Sequence, residues 1–166
     1  MSTLPLQTIN LSVANPSATA NFSIPLYQGA GYRSDFETWS LLQNGGFIQF
    51  NLSLPTAIPV ALTLEVCAAL VNGSANNPIS ITVNGQAFVN SYSDHDGNFH
   101  NVSWVIPASL LVVGDNNITV TLDQLASTQL FIKAATVDQA VLTTQTIDLS
   151  IPNPSATANF SIPLYQ

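Results

Sequence analysis

Positive charge is almost missing from this chain. Arg33 and Lys133 are its only basic side chains in 166 residues, against nine acidic ones, for a net charge of −7. Two cations cannot neutralise a phosphate backbone, which excludes nucleic acid as a partner. A basic patch on an anionic membrane fails for the same reason. Charge of either sign is scarce, at 7% of residues, where soluble domains carry about 25%. No uncharged apolar run reaches the ~18 residues that cross a bilayer as a helix, so membrane insertion is not expected. No cationic start leads into an apolar stretch, so no signal peptide is expected within the chain. The lone Cys67 excludes an internal disulfide framework. Its setting, Val66-Cys67-Ala68-Ala69-Leu70, reads as that of a buried small hydrophobe.

What is present is an ordinary apolar fraction, 46%, with Ser, Thr, Asn and Gln where charges would usually stand. That is enough apolar material for a core and too little charge to hold a chain open, which excludes intrinsic disorder. The length fits a single domain.

The chain also repeats itself. Residues 7–28, QTINLSVANPSATANFSIPLYQ, recur 138 positions later at 145–166 as QTIDLSIPNPSATANFSIPLYQ, with 19 of 22 positions identical. The differences are Asn10/Asp148, Val13/Ile151 and Ala14/Pro152, which read as drift between natural copies. The simplest organisation is a tandem array: residues 1–138 form one β-sandwich unit, and 139–166 open the next. Two alternatives stand beside it. One is a lone domain with a terminal segment copied at its other end; the other is an engineered chain that supplies its own complementing strand.

Apolar residues alternate with polar ones at a period of two almost throughout, the signature of half-buried strands. Ile9, Leu11 and Val13 begin the pattern, and Ala20, Phe22 and Ile24 continue it after the Asn15-Pro16-Ser17 turn. Further runs are Ile48–Leu52, Val60–Val66, Ile79–Val83, Ala87–Val89, Val102–Ile106, Ile118–Leu122, Leu130–Ala134 and Ile147–Ile151. Asn84-Gly85 is a strong two-residue hairpin signal. Only Pro107–Leu111 has room for a helical turn. About nine or ten short strands between Gly, Pro and Asn turns predict an all-β, antiparallel sandwich of jelly-roll type. The stretch Gln28–Trp39 reads as a loop.

Two segments carry a resemblance. Trp104-Val-Ile-Pro-Ala-Ser-Leu-Leu-Val-Val-Gly-Asp-Asn-Asn-Ile-Thr-Val-Thr-Leu122 resembles the closing hairpin of galactose-binding-like jelly-roll domains. Ile79-Ser-Ile-Thr-Val-Asn-Gly-Gln-Ala-Phe88 looks like their strand with a Val-Asn-Gly turn. Such domains serve as carbohydrate-binding modules and as accessory domains of glycoside hydrolases and polysaccharide lyases. The resemblance implies the same fold, covers about a third of the 138-residue unit, and carries over no ligand residue, because that family binds through variable loops. On physical grounds alone, Gly114 permits a left-handed turn and Asn116 can bond its own backbone there.

Three sets of residues are candidates for chemistry. Asn10, Asn21, Asn51, Asn72, Asn101, Asn117 and Asn159 each head an N-x-S/T triplet, where composition alone gives about three, which suggests glycosylation. Strand parity also generates the motif, since residues i and i+2 share a face and outward positions here are Asn, Ser and Thr. Next, Asp94, Asp96 and Asn98 have a D-x-D-x-N spacing that can present oxygens to Ca²⁺, though Val105 stands where an EF-hand loop needs Glu. His95 and His100 extend that set toward a transition metal without completing one. The plainer reading is a polar loop between strands.

The aromatics are the third set. Tyr32, Phe36 and Trp39 lie in or beside the first loop, and Tyr92, Phe99 and Trp104 flank the second. Sugar C–H faces stack on exposed rings, with Arg33 and Asp35 as partners for hydroxyls, so Tyr32, Arg33, Asp35, Trp39, Tyr92 and Phe99 are the candidate carbohydrate site. The alternative is that Trp39 and Trp104 plug the core, which strand parity favours for Trp104. Arg33 beside Asp35 is also simply a surface ion pair. No G-x-S-x-G, H-E-x-x-H or phosphate-binding glycine loop occurs, and Asp35 and Glu37 point side by side rather than across a bond.

The sequence therefore predicts a secreted, non-catalytic module that binds carbohydrate or another cell-surface ligand, with no cofactor beyond a candidate Ca²⁺. Its rival is a fibre subunit joined by β-strand exchange, in which Phe22, Ile24, Phe160 and Ile162 fill pockets of a neighbour.

Overall fold

A computed structural model describes residues 4–42, 45–69, 79–90, 92, 97–122 and 129–140, with the backbone alone at 68 and 69. Asn72, Asp94, Asp96, Asn159, Phe160, Ile162 and the whole second copy of the repeat lie outside the described residues.

Alternation at a period of two gives strands with one wet and one dry face, and two such sheets bury their dry faces against each other. In chain order the strands are β1 (Gln7–Asn10), β2 (Phe22–Gln28), β3 (Ala30–Arg33), β4 (Thr38–Leu41), β5 (Phe47–Leu54), β6 (Val60–Ala69), β7 (Ile79–Val83), β8 (Gln86–Val89), β9 (His100–Ile106), β10 (Gly114–Leu122) and β11 (Gln129–Gln139). One sheet runs β3-β4-β11-β6-β9, with β1 also on β11; the other runs β2-β5-β10-β7-β8. Every pairing is antiparallel. This is the jelly-roll type of β-sandwich, and a 3-10 turn at Ala108–Leu110 stands where Pro107–Leu111 left room for one.

The core follows the predicted parity. Ile48, Phe50, Leu52 and Leu54 of β5, with Ile118, Val120 and Leu122 of β10 and Ile79, Ile81 and Val83 of β7, face Val60, Leu62, Leu64 and Val66 of β6. Each aliphatic side chain buried this fully contributes about 1.5–3 kcal/mol relative to exposure. The Asn84-Gly85 turn joins β7 to β8 with positive φ at both residues, 51° and 78°, the backbone of a type I′ hairpin.

Asn116 is fully buried between the sheets. Its Nδ2 donates to the carbonyls of Val112 and Gly114, both at 2.9 Å, and its Oδ1 accepts from Val112 N at 2.8 Å and Asn84 Nδ2 at 2.9 Å. Asn84 also donates to Leu110 O at 2.9 Å and accepts from Asn117 N at 2.9 Å. The two side chains thus fasten the β7–β8 turn to the β9–β10 connection.

Four expectations need correction. Gln28–Trp39 is not a loop: β2 runs to its start, and β3 and β4 form a hairpin within it. The strand count accordingly reaches eleven among the described residues. Val13 and Ala20 do not face the core, because β1 ends at Asn10 and β2 begins at Phe22, which leaves both exposed. In β11 the inward series is Leu130, Ile132, Ala135 and Val137 rather than Leu130, Ile132 and Ala134, because an extra residue, Lys133, bulges between Ile132 and Ala134.

Candidate functional site

The first copy of the repeat is built into both sheets. β1 lies on β11 with Gln7 opposite Val137, and β2 lies on β5 with Phe22 opposite Leu52. Ile9, Leu11 and Phe22 are buried, and the Phe22 ring stacks on Phe50 at 5.3 Å. Between the strands the segment crosses the sandwich edge. Two aromatic residues of the β3–β4 hairpin hold it there: Tyr32 donates its hydroxyl to Ser12 O at 3.3 Å, and Trp39 donates Nε1–H to Val13 O at 3.0 Å.

Under this crossing lies a cavity of about 260 Å³. Asn15, Pro16, Ala14 and Ala18 line it from the crossing, Ser23, Ile24 and Tyr27 from β2, and Trp39 from β4. Its shape has a local cause. Ile24 and Pro25 bulge out of β2 opposite Phe50, a place where the missing Pro25 N–H costs no ladder bond. Tyr27 then stands half out of the surface, 51% exposed, and meets the Trp39 ring edge-on at 4.8 Å. The result is an apolar wall of two rings with Asn15 and Ser23 as polar partners. No cation lines it.

The six sequence-level candidates fall in four places. Tyr32 and Trp39 are register neighbours on the inner side of their hairpin; Trp39 is buried, so it forms the cavity floor rather than an open stacking platform. Arg33 and Asp35 sit on the exposed hairpin turn and form a two-pronged ion pair, 2.6 Å and 3.0 Å. That hydrogen bonding holds the Asp35 carboxyl below the ordinary carboxylate value and the Arg33 guanidinium above its own. Tyr92 packs edge-on to Trp104 at 5.7 Å, and Trp104 is half-buried against the core.

Phe99 lies under Lys133, whose Nζ is 4.1 Å from the ring centre. Arg33 is likewise over Phe36, at 5.4 Å, and Phe36 touches Phe131 at 5.1 Å. Phe131 and Lys133 stand two residues apart on β11, so both ring contacts are made to that one strand. Both cations of the chain are held against rings.

Tyr27 is the residue that sequence reasoning missed. An aromatic late in a strand reads as one more alternation. Only the bulge at Ile24-Pro25, for which the Pro was the available signal, turns it toward Trp39.

Asn10, Asn101 and Asn117 are exposed and Asn21 and Asn51 half-buried. Asn98 is exposed too. Among the described residues no three His, Cys, Asp or Glu side chains gather closely enough to share a metal ion.

By sequence the chain matches no family profile and no curated protein. By structure it is similar to a family 35 carbohydrate binding module from Clostridium thermocellum, with TM-score 0.55 and 20% identity over 82% of this chain and 100% of that one. It is also similar to the CBM36-1 domain of a multidomain xylanase from the hindgut metagenome of Trinervitermes trinervoides, with TM-score 0.54 and 12% identity over 83% and 100% of the two chains. A third similar structure is carbohydrate-binding module CBM36 in complex with calcium and xylotriose, at TM-score 0.51 and 12% identity over 81% and 99%. At these identities the likeness is one of fold: this chain has the jelly-roll sandwich of those modules.

Proposed function

We propose that this protein is a non-catalytic, extracellular carbohydrate-binding module that takes a neutral sugar at the Tyr27–Trp39 cavity. The observation that carries the reading is the exposed Tyr27 ring set edge-on to Trp39 above a cavity with amide and hydroxyl partners. Aromatic rings take the C–H face of a sugar, and Asn15 and Ser23 are placed for its hydroxyls. The volume lies just under the ~300–1,000 Å³ of drug-sized sites, which suits one sugar ring or a chain end. With no cation on the walls and an acidic chain around them, uronic or sulfated sugars are disfavoured.

Calcium enters as a co-ligand only through Asp94, Asp96 and Asn98, and calorimetric titration of CaCl₂ into the parent and a D94N/D96N variant tests it. Glycans at the exposed sequons belong to the same extracellular reading.

The test is a glycan array followed by titration, read by tryptophan fluorescence in a Trp104→Phe background so that only Trp39 reports. Binding of a neutral glycan that disappears when Tyr27 and its counterpart in the second copy, Tyr165, are both changed to Ala supports the reading. No binding to any glycan at millimolar concentration, or binding indifferent to that double change, overturns it.

The duplicated ends favour a second reading, a structural subunit in a tandem array or fibre joined by strand exchange. What supports it is that the repeated segment supplies one strand to each sheet, and that these strands pair with β5 and β11 alone. Electron microscopy of the chain for filaments tests it.

A further inference from the structure

We infer that residues 145–166 can take the place of residues 7–28 on the chain's own sandwich. The polypeptide would then carry two interchangeable ways of completing one fold, the second a circular permutation of the first.

Burial and sequence identity agree position by position. Gln7, Ile9, Leu11 and Phe22 are the buried residues of the first copy, and Gln145, Ile147, Leu149 and Phe160 are identical to them. The three positions that differ, Asn10, Val13 and Ala14, are all exposed. The polar support is preserved as well. Gln7 Oε1 accepts from the Thr19 hydroxyl and from Asn21 N, and Thr157 and Asn159 stand at the matching positions.

Exchange disturbs little else. β1 pairs only with β11 and β2 only with β5, so both leave without opening a ladder between other strands.

Register decides that the replacement is within reach of the same chain. Gln7 is opposite Val137 in an antiparallel pair. Gln145 follows Val137 by eight residues in the same strand direction that a hairpin would need. If a turn after β11 closed on residues 138 and 144, the register of the first copy, Gln7 opposite Val137, Thr8 opposite Thr136 and Ile9 opposite Ala135, would be open to Gln145, Thr146 and Ile147. A loop of about five residues is within the ordinary hairpin range. From there the connection from 148 to 160 is as long as that from 10 to 22, so Phe160 would be within reach of the place beside Leu52 where Phe22 now lies. The cavity would travel with the exchange. Seven of its eight lining residues belong to the first copy, and only Ala14 changes, to Pro152.

The test uses the full chain with a carboxylate placed at the buried phenylalanine of either copy: Phe22→Asp, Phe160→Asp and the double variant. Thermal melts are read with size-exclusion chromatography and limited proteolysis. Phe160→Asp is expected to melt like the parent. Phe22→Asp is expected to stay a cooperatively melting monomer, with cleavage moved to residues 1–28. Were the two placements equal in energy, losing one would change the folded-to-unfolded ratio about twofold, a shift of only ~1–2 °C. The double variant is expected to lose its cooperative melt. A Phe22→Asp chain as unfolded as the double variant overturns the inference. So does a double variant that still melts cooperatively, or a Phe22→Asp chain that folds only as a dimer or larger, the outcome expected of exchange between chains.

Discussion

Asn116→Ala is the substitution most damaging for its size that the structure predicts outside the apolar core. The side chain is fully buried and makes four hydrogen bonds of 2.8–2.9 Å, two given and two received. A net ~1 kcal/mol per bond sets about 4 kcal/mol if nothing compensates. Water entering the vacated space restores part, leaving about 3 kcal/mol. For a domain of this size that lowers the Tm by roughly 6–12 °C. Differential scanning calorimetry of the variant measures it. The network reasoning is further tested by Asn84→Ala and the double variant. The Asn84 Nδ2–Asn116 Oδ1 bond is common to both single changes, so their costs should fall short of additive by about 0.5–1.5 kcal/mol. A loss below ~1 kcal/mol in Asn116→Ala would refute the argument, and would mean that the backbone alone holds the connection.

Other outcomes follow from particular contacts. Deleting Lys133 removes the β11 bulge while Ile132, Ala135 and Val137 still point inward, so that variant should fold; deleting Thr136 turns Val137 outward and should abolish the cooperative melt in circular dichroism. Because Arg33 holds the Asp35 carboxyl below its ordinary value, the pair contributes stability only above the unfolded-state value and loses it as pH falls through the folded one. Both groups are exposed and screened, so Asp35→Asn should melt only slightly below the parent near pH 7, with the gap closing as pH falls toward about pH 3; a gap that widens in acid would contradict this. Chain made in a glycosylating host should carry glycans at exposed Asn10, Asn101 and Asn117 ahead of half-buried Asn51, as read by mass spectrometry after glycosidase treatment.

The strands of the core were legible because each has one dry face: the parity of Ile48–Leu54, Val60–Val66 and Ile118–Leu122 survives into the structure unaltered. The Asn84-Gly85 turn was legible because few sequences accept two successive positive φ angles. The β3–β4 hairpin was not. Its strands are four residues each, and its turn has positive φ at Glu37, 48°, where a reader looks for Gly or Asn. The bulges at Lys133 and at Ile24-Pro25 were hidden for a different reason: an extra residue changes which side chains face the core without changing composition. That is why Tyr27 and the Trp39 cavity went unseen while Arg33 and Asp35, conspicuous as rare charges, drew notice.

On the outer face of the sheet that holds β11, neighbouring strands are joined by hydroxyls: Thr8 to Thr136 at 3.0 Å and Thr63 to Ser103 at 2.7 Å. A single ion pair occurs among the described residues, and it is on a turn. Dissolved electrolyte therefore has almost no attraction between opposite charges to weaken, and acts instead on the mutual repulsion behind the net charge of −7. Brine should leave the cohesion of the molecule intact, since that is governed by oil-like contacts inside and neutral dipoles outside.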